Sequence, residues 1–399
     1  MDVELVERKG AGHPDTIADA VANEFSRRYV QYTLKHFGGT PRHSVDKLVL
    51  AGGTSRLAFG RGHGVTPIVC DVVGKITPSF GSAEIPVRDI AAESLDAVFA
   101  RSFCSSALEL LPPPVLRISA NDGIGAEHHD RYYAPRAIDD LDTVDLRCEA
   151  NDTAVVFGHH GPTQLEYLVW QAENHLTGPA MQVRFGTGTD AKVLASRVGN
   201  RVSVHVAMPF VASLVPSERV YRDSLAAIGA ELHQLLQKTA PDLDIAAPVL
   251  NTKDRPGHGY LTLAGSSLDK GDQGAVGRGN NYSGVISMLR PQSMESHAGK
   301  NPFRSAGRIY PEICRAVSRD FALAHGVDIT IGLQSANGRP LEEPSAVFGL
   351  LPDGSLVPQR ELGVDTLNRE QVVRARKTVL DPEQLHRDVH GRVADSVSR

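Results

Sequence analysis

Cysteine, lysine and long apolar runs are all scarce in this chain, and each scarcity excludes something. Four cysteines occur in 399 residues, Cys70, Cys104, Cys148 and Cys314. None forms a C-x-x-C pair, so there is neither a zinc ribbon nor a disulfide framework, and buried thiols in a reducing compartment are expected. No stretch approaches the roughly 18 apolar residues of a membrane span. The acidic start Met1-Asp2-Val3-Glu4 is no signal peptide, which makes the cytoplasm the expected location. A G-x-S-x-G elbow is absent, and nucleophilic catalysis by a side chain has no support. The net charge of −5 and pI near 6.3 argue against a nucleic-acid-binding surface, while leaving room for a local basic pocket. Only ten of the 42 basic residues are lysines, so a lysine inside a glycine-rich motif stands out. Lys9, Lys192 and Lys300 are such residues.

What is present reads as more than one core. A chain of this length with 41% apolar residues implies two or three domains. Strand and helix signals recur in three comparable blocks, here 1–140, 141–250 and 251–399, without a fixed-period repeat or strict βαβ alternation. An α+β architecture with antiparallel or mixed sheets follows. Ile17, Val21, Phe25, Tyr29 and Tyr32 predict a helix closed by Gly38-Gly39. Further helices are expected over 88–111, 164–176, 217–238 and 309–324, and one in the charged tail beyond Arg360. Strands are expected near 48–51, 65–76, 202–208, 259–264 and 327–333, with 121–147 read as loop.

The richest segment is Val6-Glu7-Arg8-Lys9-Gly10-Ala11-Gly12-His13-Pro14-Asp15, opening the first helix. Proline suits a first helical turn, and the free N–H groups and positive end of that helix favour an anion. Asp15 would repel that anion unless a metal lies between them, so phosphates with a divalent cation satisfy both. Gly271-Asp272-Gln273-Gly274-Ala275-Val276-Gly277-Arg278-Gly279-Asn280 frees the backbone to approach a ligand and offers a planar guanidinium for phosphate. Lys300 and Arg304 could bring two cations to one site. Asp190 and Lys192 fall on one side if the chain there is extended. Ala150 to Gly161, within a turn-rich stretch from Asn151 to Thr163, reads as a mobile lid with Asp152 at its base. His159-His160 and His128-His129 lack the i, i+4 spacing of a helical zinc site. Together these describe a polyphosphate site with one or two Mg²⁺.

In this order the motifs resemble the S-adenosylmethionine synthetase family, in its archaeal-type branch. The resemblance rests on Val6 to Asp19, Val45-Asp46-Lys47 with Gly52-Gly53, Ala150 to Thr153, Asp190-Ala191-Lys192-Val193, Gly271 to Asn280, and Ala298 to Pro302 with Gly307 to Tyr310. It implies three similar αβ subdomains around a pseudo-threefold axis. It also implies a homodimer, or a dimer of dimers, with active sites at the interface. The implied substrates are ATP and methionine: the sulfur attacks C5′ and expels tripolyphosphate, which is then cleaved to phosphate and pyrophosphate. By the same resemblance Glu7 sits near the adenosine or its ions, His13 on the oxygen leaving C5′, and Asp15 on Mg²⁺, of which two are implied. Asp190 lies near the nucleoside, Lys192 and Arg278 on the polyphosphate, and Asp272 near the amino-acid end. Lys300 reaches phosphate or metal from the facing side, and Asp152 faces the sulfur.

The chain also departs from the family pattern. Thr189, Gln273, Asn281, His159-His160 and Phe303-Arg304 replace its usual residues, several of them on the lid and acceptor side, which makes His159 and Arg304 candidate acceptor contacts. Thr54 follows Gly52-Gly53 where the bacterial branch carries a glutamate for a monovalent cation, which leaves a K⁺ requirement open. Two other readings stand beside the leading one: the same ATP chemistry with a different acceptor or water, and a non-catalytic regulatory paralogue.

Overall fold

A computed structural model describes residues 3–121, 133–362 and 367–381. Its helices of ten or more residues, in chain order, are α1 (Pro14–Phe37), α2 (Val87–Ser102), α3 (Gln164–Thr177), α4 (Glu218–Thr239), α5 (Ala306–His325) and α6 (Arg369–Leu380). They fall into three pairs, and each pair covers a different sheet.

The first layer packs α1 and α2 on a four-stranded sheet of Gln273–Ala275, His43–Ala51, Val69–Ile76 and Val115–Asn121, in that order. Alternation along these strands puts Val45, Leu48, Leu50, Cys70, Val72 and Ile76 inside, against Ile17, Val21, Phe25, Leu95 and Phe99 of the helices. Val69–Ile76 and Val115–Asn121 run parallel with α2 as the crossover, and the other pairs are antiparallel, so the sheet is mixed. The second layer packs α3 and α4 on a sheet whose centre is Val3–Lys9, Lys192–Val198 and Arg201–Ala207. The third packs α5 and α6 on Val155–His159, Thr330–Gln334, Ala346–Leu350 and Leu356–Pro358. Val3–Lys9 comes first in the chain yet pairs over seven residues with Lys192–Val198. This non-local pairing ties the N-terminal motif to the Asp190–Lys192 motif.

Local chemistry explains the helix ends. His13 is the N-cap of α1, Pro14 its first residue, and Gly38 closes it at φ 76°, a conformation glycine adopts without a Cβ penalty. Thr163 and Glu166 form a reciprocal capping box on α3.

Several expected elements come out differently. The helix expected over 88–111 ends at Ser102 and continues as a 3-10 turn, Ser105–Leu110. The strand expected over 65–76 divides at Pro67 into Arg61–Thr66 and Val69–Ile76, and that over 259–264 shrinks to Leu261–Thr262. The lid is the main correction. Val155–His159 is an edge strand of the third sheet, paired antiparallel with Thr330–Gln334 along its whole length. Its turn-like glycines and histidines hid a short apolar run whose partner lies far along the chain. His128-His129 lies outside the described residues.

Candidate active site

The end of strand Val3–Lys9, the N-terminus of α1, the start of strand Lys192–Val198 and the loop 265–281 meet at one place. Glycines allow the approach: a Cβ at Gly10 or Gly12 would overlap Thr189, one at Gly274 the Pro14 carbonyl, and one at Gly279 the Asp19 carboxylate.

Aspartates one helical turn apart then fasten the loop to α1. Ala275 donates its N–H to Asp15 Oδ1 at 3.0 Å, and Gly277 and Gly279 donate to the two oxygens of Asp19 at 2.6 and 3.1 Å. Burial raises Asp19 to about 7, against the pull of those two amides. Asn280 completes the join, accepting from the Lys9 N–H at 2.9 Å and donating to the Lys9 carbonyl at 2.7 Å. The result leaves Arg278 at the exposed crest of the loop.

The charged groups interlock. Lys9 Nζ lies 3.0 Å from Asp15 Oδ2 and 3.7 Å from Glu7 Oε1, while Lys192 Nζ meets Glu7 Oε2 at 3.0 Å. His13 Nδ1 accepts the Asp15 N–H at 3.2 Å. That bond assigns the ring proton to Nε2. Burial first, and then the Lys9 ammonium, lower His13 to about 4, so the imidazole is neutral near pH 7, with an Nε2–H that no described residue takes.

Asp190 is buried just before the strand rather than along it, so it does not share a strand face with Lys192. Its Oδ2 accepts from the Ser267 N–H at 2.7 Å and the Ser267 hydroxyl at 2.5 Å. The same hydroxyl lies 3.1 Å from Asp272 Oδ2. Burial raises Asp190 to about 7. Lys192, Tyr260, Ser267 and Asp272 border a cavity of about 630 Å³ that opens beside the cluster.

One chain therefore gathers Glu7, His13, Asp15, Asp190, Lys192, Asp272 and Arg278. Four other candidates are held elsewhere. Lys300 pairs with Asp46 and Glu295, each at 3.1 Å, and Arg304 with buried Asp142 at 2.7 Å, so these two cations do not share a site. Asp152 is exposed at the bend before its strand. His159 lines a smaller cavity with Glu166, Tyr282 and His297; burial, then Arg290, lowers it to about 3. Lys9, Asp19, Ser267 and Asn280 join the cluster without having been read as site residues. Asp19 at i+4 from Asp15, matched to glycines at 274, 277 and 279, was the signal available.

Among the described residues no three His, Cys, Asp or Glu side chains converge on a metal position. The donor set does fit Mg²⁺ shared with phosphate oxygens, the usual arrangement when one or two carboxylates supply the protein side. Asp15, whose oxygens take the Ala275 N–H and the Lys9 ammonium, is the carboxylate of the cluster at the N-terminus of α1. No helix among the described residues is long and apolar enough to cross a membrane.

The model of the S-adenosylmethionine synthetase (AdoMet synthetase) family matches residues 1–370. The chain is 33% identical over 392 residues to an S-adenosylmethionine synthase of Pyrobaculum neutrophilum, covering 93% of this chain and 92% of that one. It is 34% identical over 359 residues to one from Aeropyrum pernix, covering 87% and 84%. A solved structure, an unusual S-adenosylmethionine synthetase from Campylobacter jejuni, shares the fold with a TM-score of 0.59 at 13% identity, covering 98% of this chain and 94% of that one. With motifs, fold and relatives in agreement, this chain belongs to the archaeal-type S-adenosylmethionine synthetase family, enzymes of S-adenosylmethionine synthesis.

Proposed function

We propose that the cluster around His13 is the triphosphate end of an active site that joins ATP and methionine. The sulfur lone pair forms the S–C5′ bond as C5′–O breaks, and the electron pair leaves with tripolyphosphate. Water then cleaves tripolyphosphate to phosphate and pyrophosphate in the same place. The observation that carries this reading is the neutral His13 ring, fixed by the Asp15 N–H so that Nε2–H is free to donate. A fixed Nε2–H donates a hydrogen bond that strengthens as charge grows on the bridge oxygen. Lys192, with one carboxylate contact and a half-exposed side chain, has hydrogens left for phosphate oxygens, and Arg278 adds its fork. Asp15 would hold Mg²⁺ against the phosphates, where the ion supplies charge neutralisation of the leaving group. Asp272 borders the cavity, and buried Asp190 stands behind it through Ser267, a reading that gives Asp272 the amino-acid end and Asp190 the nucleoside end.

The acceptor half comes, in this reading, from a second copy. Val49, Val73 and Val115 of the first sheet are 42%, 42% and 39% exposed. Asp46, which holds Lys300, lies on the same strand as Val49. A homodimer closing over this sheet would bring Lys300 and Asp152 of one copy toward the cluster of the other. The three helix-pair layers correspond to three similar subdomains about a pseudo-threefold axis, and the cytoplasm is the compartment in which the substrates meet.

The test is direct. With ATP, Mg²⁺ and methionine the protein should form S-adenosylmethionine, phosphate and pyrophosphate in equal amounts, and without methionine ATP should persist. Rapid ATP cleavage in the absence of methionine would favour water or another acceptor; no product with methionine would sink the reading.

A further inference from the structure

Lys9 has no place among the roles above, yet it is the most enclosed cation of the cluster. Its side chain is 9% exposed, against 40% for Lys192. An ammonium carries three hydrogens and accepts nothing. Asp15 Oδ2 lies 3.0 Å from Nζ, the Arg278 carbonyl 2.5 Å, and Glu7 Oε1 stands 3.7 Å away. The backbone on either side is held by Asn280 in both directions. With two of its three hydrogens bonded to protein oxygens and a second carboxylate in ion-pair range, this buried lysine is already committed to the protein, far more than Lys192.

We propose that Lys9 is a positioning residue, an internal counter-cation that fixes the Asp15 carboxylate and the Arg278 loop together and does not itself bind substrate. The proposal rests on the reading of Asp15 and Arg278 given under Proposed function. Without this ammonium, among the described residues Asp15 keeps only the Ala275 N–H, Glu7 keeps only Lys192, and the Arg278 carbonyl loses its donor. The carboxylate for the metal and the guanidinium for phosphate then lose their alignment at once. Removing it has two opposed effects on the metal requirement, since a cation that repels Mg²⁺ is lost together with the alignment of its carboxylate.

Lys9→Met, Lys9→Arg and Lys192→Met are compared with the parent in three measurements: calorimetric binding of inorganic tripolyphosphate without Mg²⁺, kcat against Mg²⁺ concentration, and amide exchange over residues 274–280. Lys9→Met should lower kcat by about 10- to 100-fold, the range for lost partners of a metal-holding group. The kcat loss should persist at saturating Mg²⁺, its tripolyphosphate affinity should stay within about twofold, and the loop amides should exchange faster. Lys9→Arg keeps the charge and should preserve tripolyphosphate affinity and more of the loop protection, which covers the case in which the methionine variant does not fold. A loss of tripolyphosphate affinity of about tenfold in either Lys9 variant would make Lys9 a phosphate ligand and overturn the proposal. Unchanged kcat and loop exchange in both would overturn it as well. Lys192→Met with full tripolyphosphate affinity would instead overturn the reading of the site itself, independently of Lys9.

Discussion

The cluster around His13 and the region from Asp152 to His160 stand in contrast. In the first, a strand end, a helix N-terminus and a glycine loop from distant parts of one chain interlock through hydrogen bonds, with Lys9 and Asp19 buried at its base. In the second, Asp152 is exposed, His159 is turned into a separate cavity, and the nearby cations Lys300 and Arg304 are engaged with different carboxylates. On the proposed reading, the end that handles the same tripolyphosphate in every turnover is preorganised within the fold, and the acceptor end is completed by a second copy. Preorganisation belongs where charge develops in the transition state.

Breaking the first region should cost most. Lys192→Ala is expected to lower kcat by about 10²- to 10³-fold, as for loss of one preorganised charge partner, with an unchanged melting temperature. Steady-state kinetics beside a thermal melt checks both. The second region predicts a smaller loss and a diagnostic rescue. Asp152→Ala should reduce kcat/KM for methionine more than for ATP. If sites are shared between copies, refolding it as a mixture with Lys192→Ala should restore up to about a quarter of parent activity, because half the dimers then carry one intact site. Mixtures no better than the mean of the two variants would place the whole site in one chain.

A gentler change separates stability from function within the cluster. Asp190 is raised to about 7 by burial. Its contribution to stability is therefore full below the ordinary carboxylate pKa and is lost as pH rises through about 7. Asp190→Asn removes that loss, so its melting temperature at pH 8 should equal or exceed the parent's while kcat/KM falls by about tenfold; a melt series from pH 4 to 8 reads the sign. The smallest effect is expected at His159. His159→Ala should change kcat and both KM values by less than about threefold and cost about 1 kcal/mol of stability, as for an ordinary buried polar residue. A large rise in KM for methionine would bring His159 back to the acceptor site.

What was legible in the sequence follows the same division. The phosphate end announced itself because its signals are local: Pro14 at a first turn, glycines at 10 and 12, and a guanidinium on a glycine loop. Ser267 and Asn280 escaped because their roles depend on pairings across the chain to Asp190 and Lys9 that no spacing rule records. The i+4 spacing of Asp19 from Asp15, by contrast, marked a shared helix face without showing the loop, some 260 residues on, that it holds. The strand Val155–His159 was hidden for a related reason, since its partner Thr330–Gln334 supplies the pairing that its glycine- and histidine-rich sequence obscures. Most of the paired helices were read with ends a few residues off, but that over 88–111 overran Ser102 by nine residues and the tail helix was read without ends, and the sheet order lay in long-range pairing alone.

Rapid-quench single turnover of ATP and methionine by His13→Ala tests the central claim most directly, with hydrolysis of added tripolyphosphate measured alongside. If the neutral Nε2–H donates to the oxygen leaving C5′, formation of S-adenosylmethionine should slow by about 10²-fold or more while tripolyphosphate hydrolysis stays within about tenfold of the parent. Equal losses in both steps, or near-parent formation of S-adenosylmethionine, would contradict the account.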